Sequence, residues 1–255
     1  MAWNPDTYNK FKSERFAPFY DVLALIEVRE RMDVIDLGCG TGELTRKLAD
    51  ALPYSNVLGV DSSQEMLNDS LPFANEQVRF EQKSIEDQVR NSDKKWDLVF
   101  SNAAIQWVDD HEALLPKIIS LLKPTGQLAI QLPAQHHNAL NKMLNDLADE
   151  EPFKTQLQGW QRTPPVLEIE QYARLLFENG GREITVFEKI YPLVVSDSTA
   201  LYEWASGTTL IPYTEKLNDE NQHRFINEFK NRLQKQFAKA PVFYPFKRIV
   251  MKAVF

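Results

Sequence analysis

The 255-residue sequence contains one cysteine, Cys39, four histidines and no excess of basic residues. A single thiol excludes an internal disulfide framework and a multi-thiolate metal centre, and it fits the reducing cytoplasm. With 29 Lys and Arg against 36 Asp and Glu, the formal net charge is -7. Phosphate backbones are met by clustered cations, so nucleic acid is not the expected partner and a small molecule is. No apolar run approaches the roughly 18 to 20 residues that span a bilayer, so no membrane partner is expected. The opening stretch MAWNPDTYNKFKSERF lacks the basic-then-apolar pattern of a secretion signal. A cytoplasmic, unprocessed protein is the expectation. Low-complexity tracts, long like-charge blocks and internal repeats are also missing, while 43% hydrophobic and 25% charged residues suit one domain with a full core. Glycine is scarce too, at nine residues, yet Gly38, Gly40 and Gly42 fall within five consecutive positions.

In the first half of the chain, short apolar runs alternate with helix-period segments, the pattern of a parallel sheet built from strand-helix-strand units. Strands are expected at DVIDL (33–37), NVLGV (56–60), VRFEQ (78–82), WDLVFS (96–101) and GQLAIQL (126–132). A helix at 43–52 carries Leu44, Leu48 and Leu52 on one stripe, and Ser62 with Glu65 is spaced as a capping box for a second helix from about Ser63. HEALLPKIISLLKPTG reads as a helix stopped by Pro124 and Gly126. After 136 the rhythm changes. HHNALNKMLNDLADEEPF is helical, strand-like runs return only at 182–195 and 247–255, and between these lie Trp204, a loop at 207–214 and an amphipathic helix at about 218–237. The reading is a doubly wound, mostly parallel, Rossmann-like seven-stranded α/β sheet with an antiparallel edge strand and an inserted helical lid. Residues 1–255 form one domain, 30–135 its cofactor-binding core, and about 136–180 and 196–240 the lid segments.

In such a sheet ligands bind beyond the carboxyl ends of the strands, where the first strand turns into the first helix. Gly38, Gly40 and Gly42 occupy that turn, in VIDLGCGTGELT. Glycine there removes the Cβ that would hold a ligand away from the main chain. A nucleotide-like cofactor fits, with Asp61 at the end of the second strand. A dinucleotide fingerprint would place its third glycine at position 43, which is Glu43, and no phosphate-cradling lysine motif is present. An anion at this helix start repels a pyrophosphate, so the ligand should lack phosphate, and a cationic ammonium group is compatible with it.

DLGCGTG after the first strand, GVDSSQEML after the second and WDLVFSNAAIQWV at the fourth resemble the class I S-adenosylmethionine-dependent methyltransferases. The resemblance implies that Gly38, Gly40 and Gly42 admit the methionine moiety of S-adenosyl-L-methionine. Asp36 would hold the loop or attract the ammonium, and Asp61 would take the two ribose hydroxyls, with Ser62 beside it. Ser84 and Ile85 would flank the adenine, Met66 the adenine or ribose, and Asn102 the amino-acid part. Ser84 also suits a helix cap and Met66 plain core.

Near both ends of the chain and in SNAAIQWVDDHEALLPKIISLLKPTGQLAIQLP the sequence is similar to the trans-aconitate methyltransferase family, which esterifies a carboxylate of a small organic acid. Ile211 stands before Pro212 where that family commonly has arginine, the natural bidentate partner of a polyanion. Arg15 would bind the cofactor or compensate by binding the acid. Trp3, Tyr8, Phe11 and Phe16 form a candidate aromatic flap. Gln106, Trp107 and His111 follow the fourth strand and are candidates to position the acceptor, as are Trp204 and Tyr213 from the lid. No Ser/His/Asp constellation or metal site is legible, and an ionised carboxylate needs no base. The alternatives are a methyltransferase for a carrier-bound acyl carboxylate or another small molecule, and a noncatalytic S-adenosylmethionine-binding protein.

Overall fold

The computed structural model describes residues 12–135, 138–207 and 209–255, with side chains from residue 16 onward. The described chain divides into two compact units. The larger comprises Ala17–Ala134, Pro165–Lys189 and Lys247–Phe255; the smaller takes in Gln135–Pro164 and Ile190–Phe246 with the opening turn of the first helix.

In the larger unit, α1 (Lys12–Leu23) precedes β1 (Asp33–Leu37), α2 (Glu43–Asp50), β2 (Asn56–Asp61) and α3 (Gln64–Asn68). There follow β3 (Val78–Gln82), α4 (Ile85–Asn91), β4 (Trp96–Asn102), α5 (His111–Ile119) and β5 (Leu122–Pro133). After the first part of the smaller unit come α8 (Ile169–Glu178) and β6 (Arg182–Val195), and β7 (Val242–Val254) closes the chain. The seven strands are ordered β3-β2-β1-β4-β5-β7-β6. All pairs from β3 through β5 are parallel, and β7 runs antiparallel to β5. The order reverses between β1 and β4, which places the ligand crevice of a doubly wound sheet at their carboxyl ends.

Both faces of this sheet are covered, which explains why its central strands are continuous apolar runs. Alternate residues of one strand go to opposite cores: Ile35 and Leu37 pack with Leu114, Leu115 and Ile118 of α5 and Leu176 of α8, whereas Val34 packs with Phe19 and Val22 of α1 and Leu48 of α2. At the amino ends, Lys123 Nζ lies 2.7 Å from Asp33 and 2.8 Å from Asp97, pinning β1 and β4 together at the end away from the crevice.

The smaller unit holds α6 (Ala139–Ala148), α7 (Phe153–Gln156), α9 (Ser198–Ser206), α10 (Ile211–Thr214) and α11 (Asp219–Gln236). Asn138, Asp197 and Asn218 cap three of these helices through their side-chain oxygens. Phe225, Phe229 and Leu233 on one stripe of α11 join Leu144, Leu147, Leu201 and Tyr213 in a separate core.

The main departures from the sequence reading concern α5, β7, α10 and α8. α5 stops at Ile119, before the expected Pro124 and Gly126, because Leu121 and Leu122 are drawn into the sheet: Trp96 N donates to Leu121 O at 2.8 Å and Trp96 is in register with Leu122. β7 begins at Val242 rather than 247. The expected loop at 207–214 closes on a helical turn, α10, that begins with Ile211-Pro212. α8 was not anticipated, although Glu168 and Gln171 form a capping box at its start.

Candidate active site

The loop after β1 is tied to the end of β2 by its own backbone. Gly38 N and Cys39 N both donate to Val60 O, at 2.8 and 3.0 Å, and Gly40 N donates to Asp61 Oδ2 at 2.9 Å. The three glycines answer to different constraints. A Cβ on Gly38 would lie 2.1 Å from Ala104 Cβ, and one on Gly42 would lie 2.7 Å from both Phe80 and Ser70. Those two are required by the protein's own packing. Among the described residues only Met66 Sδ comes within contact at Gly40, at 3.8 Å, so those residues leave its bare face open to a ligand. Gly40 also has φ 55°, a conformation that costs an ordinary residue about 1 to 2 kcal/mol.

Two carboxylates stand at this loop, at the ends of β1 and β2. Asp61 Oδ2 accepts from Gly40 N, and Oδ1 accepts from Ser63 N at 2.9 Å, so two backbone amides aim a carboxylate that keeps lone pairs for further donors. Asp36, near the end of β1, is only 2% exposed. Its Oδ2 accepts from Thr45 Oγ1 at 2.6 Å, while Oδ1 is buried with no hydrogen-bond partner among the described residues. Burial, with the negative charge of Asp61 adding and the Thr45 hydrogen bond opposing, pushes the Asp36 carboxyl up to about 7. A buried carboxylate oxygen with spare accepting capacity suits a charged donor such as an ammonium group. A ligand with an ammonium group and vicinal hydroxyls, which is the amino-acid and ribose chemistry of S-adenosylmethionine, fits the opening, Asp36 and Asp61 together.

The remaining sequence candidates fall into three sets. Met66 and Ile85 stand at the glycine loop: the Met66 sulfur faces Gly40, and Ile85 Cδ1 lies 3.8 Å from the position of a Gly38 Cβ. Asn102 ends β4, where its Oδ1 accepts from Gln131 Nε2 at 2.7 Å. Ser62 is exposed, and its carbonyl accepts from Gln82 at 3.2 Å. Ser84 caps α4, accepting from Asp87 N at 3.0 Å. The expected cap at Ser62 is corrected to Ser63, whose hydroxyl accepts from Met66 N at 3.3 Å; the Asp61 side chain bonds Ser63 N and so delays the helix by one residue.

The acceptor candidates are spread more widely. Gln106 is buried and donates to Ala103 O at 2.6 Å, and Trp107 is 53% exposed. His111 is buried with both ring nitrogens engaged, Nε2 with Ile105 O at 2.9 Å and Nδ1 with Tyr172 OH at 2.5 Å. A carbonyl can only accept, so Nε2 carries the proton and Nδ1 accepts from the tyrosine. Desolvation holds the imidazole below its ordinary value, hence neutral. Trp204 and Tyr213 are buried in the core of the smaller unit, Trp204 edge-on to Phe246, Tyr213 stacked on Phe225 with its hydroxyl donating to Asn145. Ile211 opens α10. Trp3, Tyr8, Phe11 and the Arg15 side chain lie outside the described residues, and Phe16 is half-buried on α1.

Two positioning residues escape sequence reasoning. Ser101 Oγ donates to Leu37 O at 2.8 Å, joining the ends of β4 and β1, and buried Gln131 orients Asn102. Their signal is a lone polar residue inside an apolar strand run, VFSN and AIQL. Among the described residues no group of three or more His, Cys, Asp or Glu is placed to hold a metal, and no helix is long and apolar enough to cross a membrane.

Comparison with known proteins bears on this geometry. A methyltransferase-domain family model matches residues 29–180. The trans-aconitate 2-methyltransferase of Deinococcus radiodurans is 40% identical over 99% of this chain and 98% of its own. The enzyme of that name from Variovorax paradoxus is 33% identical over 93% and 91%. Among solved structures, the YcgJ protein of Bacillus subtilis superposes with TM-score 0.60 at 16% identity, covering 93% of this chain and 97% of its own. A Haemonchus contortus phosphoethanolamine N-methyltransferase 2 in complex with S-adenosyl-L-methionine superposes with TM-score 0.55 at 20% identity, covering 95% and 52%. At such identities the structural likeness speaks for the fold.

Proposed function

Starting from the premise that the chain belongs to the methyltransferase-domain family and uses S-adenosyl-L-methionine, we propose that it esterifies a carboxylate of a small polycarboxylic acid in the cytoplasm, with trans-aconitate, for which its relatives are named, as the acceptor. The observation that carries the cofactor assignment is the pairing of Gly40 and Asp36 Oδ1, the one left open and the other unpartnered among the described residues, with the backbone-aimed carboxylate of Asp61. When bound, the cofactor supplies a methyl group activated by a sulfonium.

The residues of the chain have a positioning task. Asp36 accepts the ammonium, and Asp61 accepts the ribose hydroxyls while Gly40 admits the atoms between them. A carboxylate acceptor is already ionised at neutral pH, so no side chain has to remove a proton. His111, the nearest candidate base in sequence, is committed to Tyr172 and Ile105. What remains is to hold the acceptor oxygen in line with the methyl group, which is worth roughly 7 to 11 kcal/mol in favourable cases. We assign that to Gln106 and Trp107, which follow β4.

Incubation of the protein with deuteromethyl-labelled S-adenosylmethionine and a panel of organic acids tests this. Mass spectrometry is expected to show a labelled monomethyl ester of trans-aconitate above those of mono- and dicarboxylic acids. Methylation of a carrier-bound acyl group in preference to every free acid, or of none of these, overturns the acceptor assignment.

A further inference from the structure

Behind Asn102 the larger unit contains a buried polar chain. Gln131, fully buried in the interior of β5, is in register with Asn102 and donates from Nε2 to Asn102 Oδ1 at 2.7 Å. From β7, Arg248 Nη1 donates to Gln131 Oε1 at 3.4 Å. Arg248 is 6% exposed and in register with Pro133, just past Gln131, so it sits at the carboxyl ends of the parallel strands.

The chemistry of these groups fixes a direction. A guanidinium has donors only, so the oxygen of the Gln131 amide faces Arg248 and its nitrogen faces Asn102. Asn102 therefore presents Oδ1 to Gln131, and its two Nδ2 protons are turned elsewhere. Among the described residues Nδ2 donates to none, although Asn102 is half-buried at the end of β4. On the adjacent strand, Asp36 presents a buried acceptor that has no partner among the described residues. One strand end thus offers an anion and its neighbour offers oriented donors, which is what a zwitterionic amino acid requires.

We propose that Arg248, acting through Gln131, is a positioning residue for the cofactor: it locks the Asn102 amide so that Nδ2 donates to the carboxylate of the methionine moiety, opposite the ammonium at Asp36. This rests on the cofactor reading above.

Calorimetric titration with S-adenosylhomocysteine, which has the amino-acid carboxylate, and with 5′-methylthioadenosine, which lacks it, tests the proposal. Arg248→Met is expected to weaken S-adenosylhomocysteine about tenfold or more, the scale of one hydrogen bond to a charged group, and to leave methylthioadenosine unchanged. Arg248→Lys, still a pure donor, recovers part of the loss. Should Arg248→Met not fold, Gln131→Glu serves instead. It keeps the size and pairs with Arg248, but it can accept only, so it draws the Asn102 protons inward and weakens S-adenosylhomocysteine alone. Unchanged affinity for S-adenosylhomocysteine in Gln131→Glu, or equal losses for both ligands, overturns the relay. Asp61→Ala separates the two readings: it weakens both ligands if the cofactor site is correctly placed, and if it weakens neither, the cofactor reading fails and the relay falls with it.

Discussion

The two units treat their predicted site residues in opposite ways. At the strand ends of the larger unit, Asp36, Asp61 and Asn102 are held by protein on one side and keep hydrogen-bonding capacity on the other. In the helical unit, Trp204 and Tyr213 are spent on their own core, ring against ring, with the tyrosine hydroxyl bonded to Asn145. A binding residue has capacity left over after folding; a packing residue has none. That distinction separates the candidates better than residue type does, because an aromatic side chain suits a site wall and a helical core equally well.

Mutations can break or sharpen this contrast. Truncation in the helical core should be the most damaging: Tyr213→Ala is expected to lose roughly 3 to 5 kcal/mol in denaturant unfolding while the folded fraction keeps its affinity for S-adenosylhomocysteine. Weakened cofactor binding without loss of stability would return Tyr213 to the site. Asp61→Ala should do the reverse, costing about 1.5 to 3 kcal/mol of cofactor binding by calorimetry with a smaller effect on unfolding. Within the loop, Gly38→Ala drives a Cβ into Ala104 and should destabilise the fold more than Gly40→Ala, which costs about 1 to 2 kcal/mol of backbone strain and blocks the ligand.

A pH series gives a subtler effect. An aspartate in the unfolded chain ionises near 3.8, whereas Asp36 in the folded protein does so at about 7. The folded state therefore binds the extra proton between these values, and ligand-free stability should fall as pH rises from about 4 to 7 through this group. Only the ionised form attracts an ammonium, so affinity for S-adenosylhomocysteine should rise over the same window, by up to about tenfold per pH unit well below 7 and levelling off as 7 is approached. Asp36→Asn should abolish both trends. The smallest effect is a null one: with cofactor saturating, the transfer rate should stay flat down to about pH 5, since no base takes part. A steep fall there would call for a base.

Much of the sheet was legible because buried parallel strands are unbroken apolar runs between glycine, proline and polar turns. β1, β3 and β6 have their expected ends. Leu121 and Leu122 misled because a short apolar run carries no period of its own, and pairing with Trp96 decided it. The glycine loop and its acids were legible because strand ends at the reversal of strand order face the crevice whatever the remaining sequence. Partners distant in the chain were not. His111 looks like a helix-start residue until Tyr172 arrives from 61 positions away, and Gln131 meets Arg248 across 117.

The most direct test is a crystal structure of the protein with S-adenosylhomocysteine. The account predicts the ammonium on Asp36 Oδ1, the ribose hydroxyls on Asp61 and the intervening atoms against Gly40. A ligand bound away from Gly40, or an Asp36 still without a partner in the complex, would contradict it.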